Sequence, residues 1–307
     1  MLLMLFFILF IGMFIFGMTI LRTGLFNLSA GSLKLWMARL TAYPIKGFLI
    51  GILVTAILQS SSAVMVITIG MISARLLTFP QSIGIILGTN IGTTLTAEFI
   101  TFDLDSSLLP LSVTGAILIA FNHKKVQSAG MIIFGIATVF TAMRGFKYMA
   151  APLSAMPYFD NLLTFLNDSH LFSIMAGTVI TAIIQSSTAV IGMLMGFLTA
   201  EHLSLESAVA IMFGANIGTC ITAYIASITA GREAKLAAYA HIWLNVLGVA
   251  AFFPFIKILA DAAPLTADAI DVQLAHISVI FNVVSSIIIL PFAERFGQII
   301  LWIHDRK

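Results

Sequence analysis

The chain alternates between long apolar runs and short polar interruptions, and two of these interruptions are nearly identical. Thr55 to Val64 reads TAILQSSSAV and Thr181 to Val190 reads TAIIQSSTAV, with eight of the ten positions identical. The copies lie 126 residues apart (185 − 59). A second pair, GTNIGT at 88–93 and GANIGT at 214–219, keeps the same spacing (214 − 88 = 126). Two motifs in one fixed phase indicate a duplicated structural unit.

The lengths of the apolar runs predict membrane helices, some of them interrupted. Leu2 to Leu21 has the roughly 20 apolar residues that cross a bilayer core of about 30 Å. The run from Lys46 to Leu58 reaches only part of the way, and apolar sequence resumes at Ala63. The runs before 88–93 and 214–219 are also short, so we expect those motifs to break helices too.

Residues 23–44 are more polar, and the sequence LKLWMARL predicts a short helix lying at the membrane interface. The repeat divides the chain into residues 1–126, residues 127–256 and a last membrane helix with a charged tail, 257–307. The expected fold is an all-α integral membrane protein. Two repeats carry interrupted or re-entrant helices, and a C-terminal transmembrane helix follows them.

Composition strengthens the membrane assignment. Of 307 residues, 60% are hydrophobic and 9% are charged, whereas soluble domains carry about 25% charged residues. A net charge of +2 gives no reason to expect a nucleic-acid partner. The single cysteine, Cys220, excludes an internal disulfide. No basic stretch precedes the first apolar run, so we expect that run to be retained rather than cleaved.

Basic residues orient the two units, because Lys and Arg accumulate on the cytoplasmic side. They cluster at 22–46, at 124–125 and at 295–307, while the loops near 103, 160 and 261 carry aspartates. This pattern predicts a cell-membrane protein with an outside N-terminus, a cytoplasmic C-terminus and antiparallel repeats. Arg144 and Lys147 fall on the outer side and count against it. Inverted repeats with interrupted helices are the plan of secondary transporters.

The Gln-Ser-Ser segments carry the candidate chemistry. Hydroxyl residues before a helix start cap its free N–H groups, and the positive end of the helix dipole suits an anion. Two such starts converging from opposite sides would hold a small oxyanion without a buried arginine. The predicted anion-binding residues are Gln59, Ser60, Ser61, Ser62, Gln185, Ser186, Ser187 and Thr188.

Amide oxygens suit a hard cation such as Na⁺. The predicted sodium-binding residues are Gln59, Asn90, Thr93, Gln185, Asn216 and Thr219. An alternative is that these polar clusters only hold helices together. The glycines of the second motif are expected to allow close backbone approach and the helix break. No further metal and no cofactor are expected, apart from sodium as the coupling ion.

QSSSAV with GTNIGT, repeated as QSSTAV with GANIGT, resembles the sodium-dependent phosphate cotransporter type II family. The segment from Ser227 to Phe255, with His241 and Asn245, is also similar to that family. The resemblance implies symport of inorganic phosphate with sodium by alternating access. It also implies that the two Gln-Ser-Ser segments form the phosphate and sodium sites. The first unit departs from the pattern, since it has no His-x-x-x-Asn pair, and this leaves the sodium stoichiometry open.

Three accessory residues are candidates: Glu98, His241 and Asn245. Glu98 lies in an apolar setting, where it would bind Na⁺ or a proton, or else sit in water near the helix end. The histidines His241 and His276 would make transport pH-sensitive or form structural hydrogen bonds. Alternative functions are a phosphate exporter, a symporter of another small anion and, remotely, an intramembrane hydrolase pairing Ser61 with His241. The oligomeric state, the net direction of transport and the anion selectivity stay open.

Overall fold

The computed structural model describes residues 2–39 and 44–304, and no side chains between 30 and 39. Every regular element in these ranges is helical. The helices are α1 Leu2–Arg39, α2 Pro44–Leu58, α3 Ser61–Ser73, α4 Phe79–Phe99, α5 Leu108–Ile119, α6 Lys124–Ser154, α7 Pro157–Asp168, α8 His170–Ile184, α9 Ser187–Thr199, α10 Leu205–Ser227, α11 Arg232–Phe252, α12 Ile256–Ala262, α13 Ile270–Ile289 and α14 Ala293–His304. Short 3₁₀ turns join several of them. The predicted all-α membrane fold is confirmed, since five described segments are long and apolar enough to cross a membrane.

Helix bounds repeat with the spacing of the motifs. The pair α8–α9 begins and ends 126 residues after the pair α2–α3, and α10 begins 126 residues after α4. The backbone repeats as well, because Arg75 and Glu201, which are also 126 residues apart, both have φ of 59°. The duplication in the sequence is therefore a duplication of conformation.

Close backbone contacts show that each interrupted pair is a re-entrant hairpin. Gly84 packs on the carbonyl of Pro44 and Gly88 on the carbonyl of Phe48, so α2 and α4 run parallel from the same end. The intervening α3 must return the chain to that end. Its 13 residues rise only about 20 Å, too little to cross the bilayer.

The second hairpin repeats this arrangement from the other end. Gly214 packs on the carbonyl of Ile174, so α8 and α10 are parallel. The Ser204 N–H at the start of α10 donates to Asn167 Oδ1 (3.1 Å), just before α8 begins. The chain therefore leaves the hairpin at the level where it entered.

Corresponding helices of the two units run in opposite directions. Phe10 packs on Gly145 whereas Gly24 packs on the backbone of Ser128, so α1 and α6 are antiparallel. The Phe79 N–H at the start of α4 donates to Glu233 Oε2 (3.1 Å), which places the start of α11 beside it. We call the end where α2, α4 and α11 begin the lower end, and the opposite end, where α1, α8 and α10 begin, the upper end.

Two sequence expectations are wrong. The predicted interface helix within 23–44 does not exist as a separate element, because α1 continues unbroken through Arg39; residues 40–43 lie outside the described residues. The motifs at 88–93 and 214–219 also do not break helices, since α4 and α10 pass through them. Their glycines serve packing: a methyl group on Gly88 or Gly214 would collide with a backbone carbonyl of α2 or α8.

Helix α13, which lies outside the repeats, packs antiparallel on α4. Ser286 Oγ donates to the Leu87 carbonyl (3.0 Å), and His276 Nε2 lies 3.7 Å from Glu98 Oε2 near the other end of α4. The apolar core forms two clusters, one around each hairpin. The hairpin tips meet between them.

Candidate functional site

Both hairpins turn at a glutamine in the left-handed backbone region. The φ angle is 51° at Gln59 and 57° at Gln185. Only glycine, asparagine and aspartate visit this region routinely. When other residue types are held in the left-handed region, the backbone is strained, and strain of this kind is concentrated at functional sites. The same unusual conformation at both glutamines makes the two breaks equivalent in structure as well as in sequence.

Serine caps the helix that leaves each break. Ser60 Oγ accepts from the Ala63 N–H (3.1 Å) and Ser186 Oγ from the Ala189 N–H (3.3 Å). Helices α3 and α9 therefore both begin at a hairpin tip. The remaining free N–H groups and the positive dipole end lie there too.

The two tips enclose one small cavity, which we call the binding cavity. It is lined by Arg22, Gln59, Ser60, Ser61, Ser62, Thr93, Gln185, Ser186, Ser187, Thr188 and Thr219. Its volume is about 10 Å³, close to the minimum that holds one water molecule. All eight residues predicted to bind an anion line this cavity, and the two helix starts face each other across it.

Arg22 corrects the expectation of a site without an arginine. Its Nε–H donates to the carbonyl of Gln59 (2.9 Å), and no carboxylate among the described residues pairs with it. The sequence carries a usable signal, since Arg22 is the only charged residue between Leu2 and Ser29. Tyr148, which lies 126 residues after Arg22, is 63% exposed and does not line the cavity. The positive charge at the cavity is therefore asymmetric.

Oxygen atoms suited to a cation lie in the same cavity. Thr93 Oγ1 donates to the Thr89 carbonyl (2.8 Å) and Thr219 Oγ1 to the Ala215 carbonyl (2.9 Å). Each hydroxyl oxygen thus keeps its lone pairs for another partner. Gln59 Oε1 is buried and accepts no hydrogen bond from the described residues. Burying an oxygen atom without a hydrogen-bond partner costs free energy, unless a ligand or a water molecule binds to it.

One known sequence family matches most of the chain. The sequence model described as Na⁺/Pi-cotransporter matches residues 13–148 and 145–264. The chain belongs to the Na⁺/Pi-cotransporter family. No solved structure matches the chain.

Two relatives match this Na⁺/Pi-cotransporter family member over most of its length, and a third matches a short segment. The Bacillus subtilis protein YqeW, itself uncharacterized, is 38% identical over 94% of this chain and 94% of its own. The Escherichia coli protein YjbB, provisionally named for inorganic phosphate export, is 24% identical over 94% of this chain. The chain spans only about half of YjbB, 53% of its length. The rabbit sodium-dependent phosphate transport protein 2A is 47% identical, but over 55 residues, which is 18% of this chain and 9% of that protein.

The two asparagines predicted as sodium ligands do not line the binding cavity of this family member. Asn90 Nδ2 points to Asn245 Oδ1 (3.4 Å), and Asn216 Nδ2 donates to the Met212 carbonyl (2.9 Å). Of the predicted sodium set, the two glutamines and the two threonines are at the cavity.

His241 and Asn245 belong to a separate buried cluster with Cys220. Asn245 Nδ2 donates to the His241 carbonyl (2.9 Å) and contacts Cys220 Sγ (3.4 Å). His241 is 2% exposed and does not line the binding cavity. The Ser61–His241 pair that a hydrolase would need is therefore not brought together. The cluster joins α4, α10 and α11.

Glu98 lies beyond Thr93 on α4, facing His276 of α13. The carboxylate and imidazole are 3.7 Å apart, with side chains 30% and 32% exposed. Neither side chain lines the binding cavity. The structure thus places Glu98 at a contact between the repeats and α13, outside the site that the two motifs form.

Two larger cavities lie on either side of the binding cavity. The lower cavity, of about 470 Å³, shares Arg22 and Ser62 with it. The upper cavity, of about 350 Å³, lies among the upper ends of α4, α6 and α9 and the start of α13. Two ion pairs cross the upper cavity: Arg144–Asp105 (3.9 Å) and Lys147–Asp271 (3.6 Å).

Proposed function

We propose that this chain is a secondary active transporter that carries inorganic phosphate together with sodium by alternating access. The observation that carries the proposal is the single cavity between two inverted hairpin tips, with Arg22 at its wall. Family membership and the phosphate transport named for its relatives support the choice of substrate.

Hydrogen-bond donors in the binding cavity match a phosphate oxyanion. The hydroxyls of Ser61, Ser62, Ser187 and Thr188 donate to no other described group. Each lies in the first turn of α3 or α9, beside backbone N–H groups that lack an intrahelical partner. Arg22 adds the fork of donors that suits phosphate. Because the cavity is only about 10 Å³, phosphate binding requires the two hairpin tips to move apart.

Hydrogen-bond acceptors in the same cavity match sodium. The hydroxyl groups of Thr93 and Thr219 donate hydrogen bonds to carbonyls of their own helices. Their oxygens are therefore available in the cavity as acceptors. Gln59 Oε1 has no other partner. Sodium on these oxygens and phosphate on the helix starts would neutralise one another, so each ion increases the affinity for the other. That coupling is what symport needs.

The two larger cavities support alternating access, because one approaches the binding cavity from the lower end and the other from the upper end. The lower cavity reaches Arg22 and Ser62. Above the binding cavity, Gly192 packs against Phe14, Ile100 and Met143, which are all 5% exposed or less. This apolar layer separates the binding cavity from the upper cavity.

Charge assigns the two ends to the two sides of the cell membrane. The lower end carries basic side chains that include Lys46, Lys124, Lys125 and Arg232, and the upper end carries most of the aspartates. The positive-inside rule makes the lower end cytoplasmic. The N-terminus is then outside and the C-terminus cytoplasmic. Cysteine labelling at Tyr158 and Lys125 with a membrane-impermeant reagent tests this orientation.

Uptake by purified protein in lipid vesicles tests the function. Radiolabelled phosphate should accumulate only when a sodium gradient points into the vesicle, and replacing sodium by potassium should abolish the accumulation. Ser61→Ala should remove this flux while the protein stays folded. If Ser61 only packed helices together, this substitution would instead lower stability and leave turnover per folded molecule unchanged. If the protein in the vesicles is folded and shows no sodium-dependent phosphate flux, the proposal is refuted.

Phosphate export is the second candidate function, favoured by the name of the E. coli relative. Efflux from phosphate-loaded vesicles, with and without sodium, measures the preferred direction. Competition by sulfate in the same vesicles measures selectivity among small anions.

A further inference from the structure

The two ion pairs at the upper cavity differ in how far water reaches their carboxylates. The Asp271 side chain is 13% exposed in its pair with Lys147, whereas the Asp105 side chain is 60% exposed in its pair with Arg144. Exposed ion pairs contribute little because water and salt screen them. Losing a partner costs more where the remaining charge is buried. The Lys147–Asp271 pair is therefore the better candidate for holding two elements together.

The start of α13 fixes the position of Asp271. This residue lies in the first turn of the helix, where the helix dipole favours a negative charge. Its Oδ1 accepts from the Val272 N–H (3.0 Å), while its Oδ2 lies 3.6 Å from Lys147 Nζ. One carboxylate oxygen thus binds its own helix and the other faces α6.

The first turns of α13 contact helices of both repeats. Asp271 pairs with Lys147 of α6, in the second repeat, and His276 Nε2 lies 3.7 Å from Glu98 Oε2 of α4, in the first repeat. We call residues 270–276 the strap. Further along α13, Ser286 Oγ donates to the Leu87 carbonyl of α4 (3.0 Å). The strap therefore joins α4 to α6 at the upper end, while the rest of α13 follows α4 downward.

The strap lies over the apolar layer that separates the binding cavity from the upper cavity. Lys147 and Asp271 line the upper cavity together with Ile100 and Met143, which both belong to that layer. Lys147 is about one helical turn above Met143 on α6. An opening that parts α4, α6 and α13 at this level also separates Lys147 from Asp271.

We propose that the strap holds the upper end closed through the Lys147–Asp271 pair. This inference rests on the proposed function, because alternating access is what requires the upper end to open. It also accounts for a basic residue on a side of the membrane that the positive-inside rule disfavours. Lys147 is kept there by a carboxylate that is largely shielded from water.

A reporter cysteine beneath the strap measures opening directly. Met143 is 5% exposed and the native Cys220 is buried, so Met143→Cys should react slowly with a membrane-impermeant thiol reagent. Lys147→Gln and Asp271→Asn should each raise the reaction rate of this cysteine about fivefold, the upper range for loss of a partly exposed ion pair. Exchanging the two charges, with Lys147→Asp and Asp271→Lys together, should bring the rate back toward the starting value.

Arg144→Gln is the matched control in the same reporter background. It removes a positive charge from the same helix and the same cavity, but its partner Asp105 is mostly in water, so the rate should stay within about twofold. Melting temperature checks that each variant is folded. A rise in Arg144→Gln as large as in Lys147→Gln would overturn the inference, because loss of charge in general would then control the opening.

The reporter rate is measured without sodium or phosphate, which separates this inference from the proposed function. An unchanged rate in folded Lys147→Gln and folded Asp271→Asn would overturn the role of the strap, even if sodium-dependent phosphate flux is present. A raised rate in both variants would support that role, even if vesicles of every variant lack phosphate flux. In that case the choice of cargo, and not the strap, would be wrong.

Discussion

Replacing Arg22 by glutamine tests the electrostatics of the site most directly. The Nε–H of Arg22 is engaged by the Gln59 carbonyl at 2.9 Å, so the two terminal NH₂ groups are the ones available to a bound anion. A hydrogen bond to a charged group contributes about 1.5–3 kcal/mol. Since 1.4 kcal/mol is tenfold in affinity, Arg22→Gln should weaken phosphate binding by about 10- to 100-fold.

The substitution should leave the fold intact. It removes one hydrogen bond to the Gln59 carbonyl, which costs about 1 kcal/mol. It also removes a charge that no described carboxylate balances. Arg22→Lys should fall between the wild type and Arg22→Gln, because lysine keeps the charge and loses the fork of donors.

The assay is the phosphate concentration for half-maximal sodium-driven uptake into vesicles, with melting temperature as the check on folding. Arg144→Gln is the matched control. Arg144 is 44% exposed and pairs with Asp105 at 3.9 Å, so its loss should change phosphate affinity by less than about twofold. If Arg22→Gln folds and binds phosphate as tightly as the wild type, the anion does not lie at Arg22.

Three further results are expected. Ser61→Ala and Ser187→Ala should each abolish uptake with little loss of thermal stability, and normal turnover in either would restrict that serine to helix packing. Gln59→Met, which removes the unsatisfied oxygen without shortening the side chain, should raise the sodium concentration for half-maximal uptake about tenfold; an unchanged sodium dependence would exclude this ligand. Gly88→Ala should reduce folded protein sharply because its methyl group meets a carbonyl of α2, whereas Gly70→Ala, with open space around it, should be neutral or stabilising by about 0.5–1 kcal/mol.

The parts of the site that follow from local sequence were predictable. A hydroxyl run between two apolar segments, each too short to span a bilayer, predicts a break and a capped helix start. The structure has both at Ser60 and Ser186. The fixed spacing of 126 residues predicts equivalent partners for each.

The parts that depend on packing between distant segments were not predictable. GTNIGT reads as a helix breaker, yet its glycines lie within α4 because α2 packs against them. The sequence around Arg22 predicts the end of a membrane span, yet α1 continues past this residue. Its guanidinium contacts the carbonyl of Gln59, 37 residues away in sequence. Neither pattern reveals which neighbour a glycine face or a long side chain will meet.

The backbone contacts at Gly88 and Gly214 also constrain how the molecule moves. Each re-entrant hairpin is joined to its following helix with scarcely an atom between the two main chains, so sliding there would force carbonyls into α-carbons. Spin labels on α2 and α4 should therefore hold one separation throughout a transport cycle. The separation between labels on α1 and α3 should change during the cycle. These two helices share the wall of the lower cavity, where packing is incomplete, so movement there breaks few contacts.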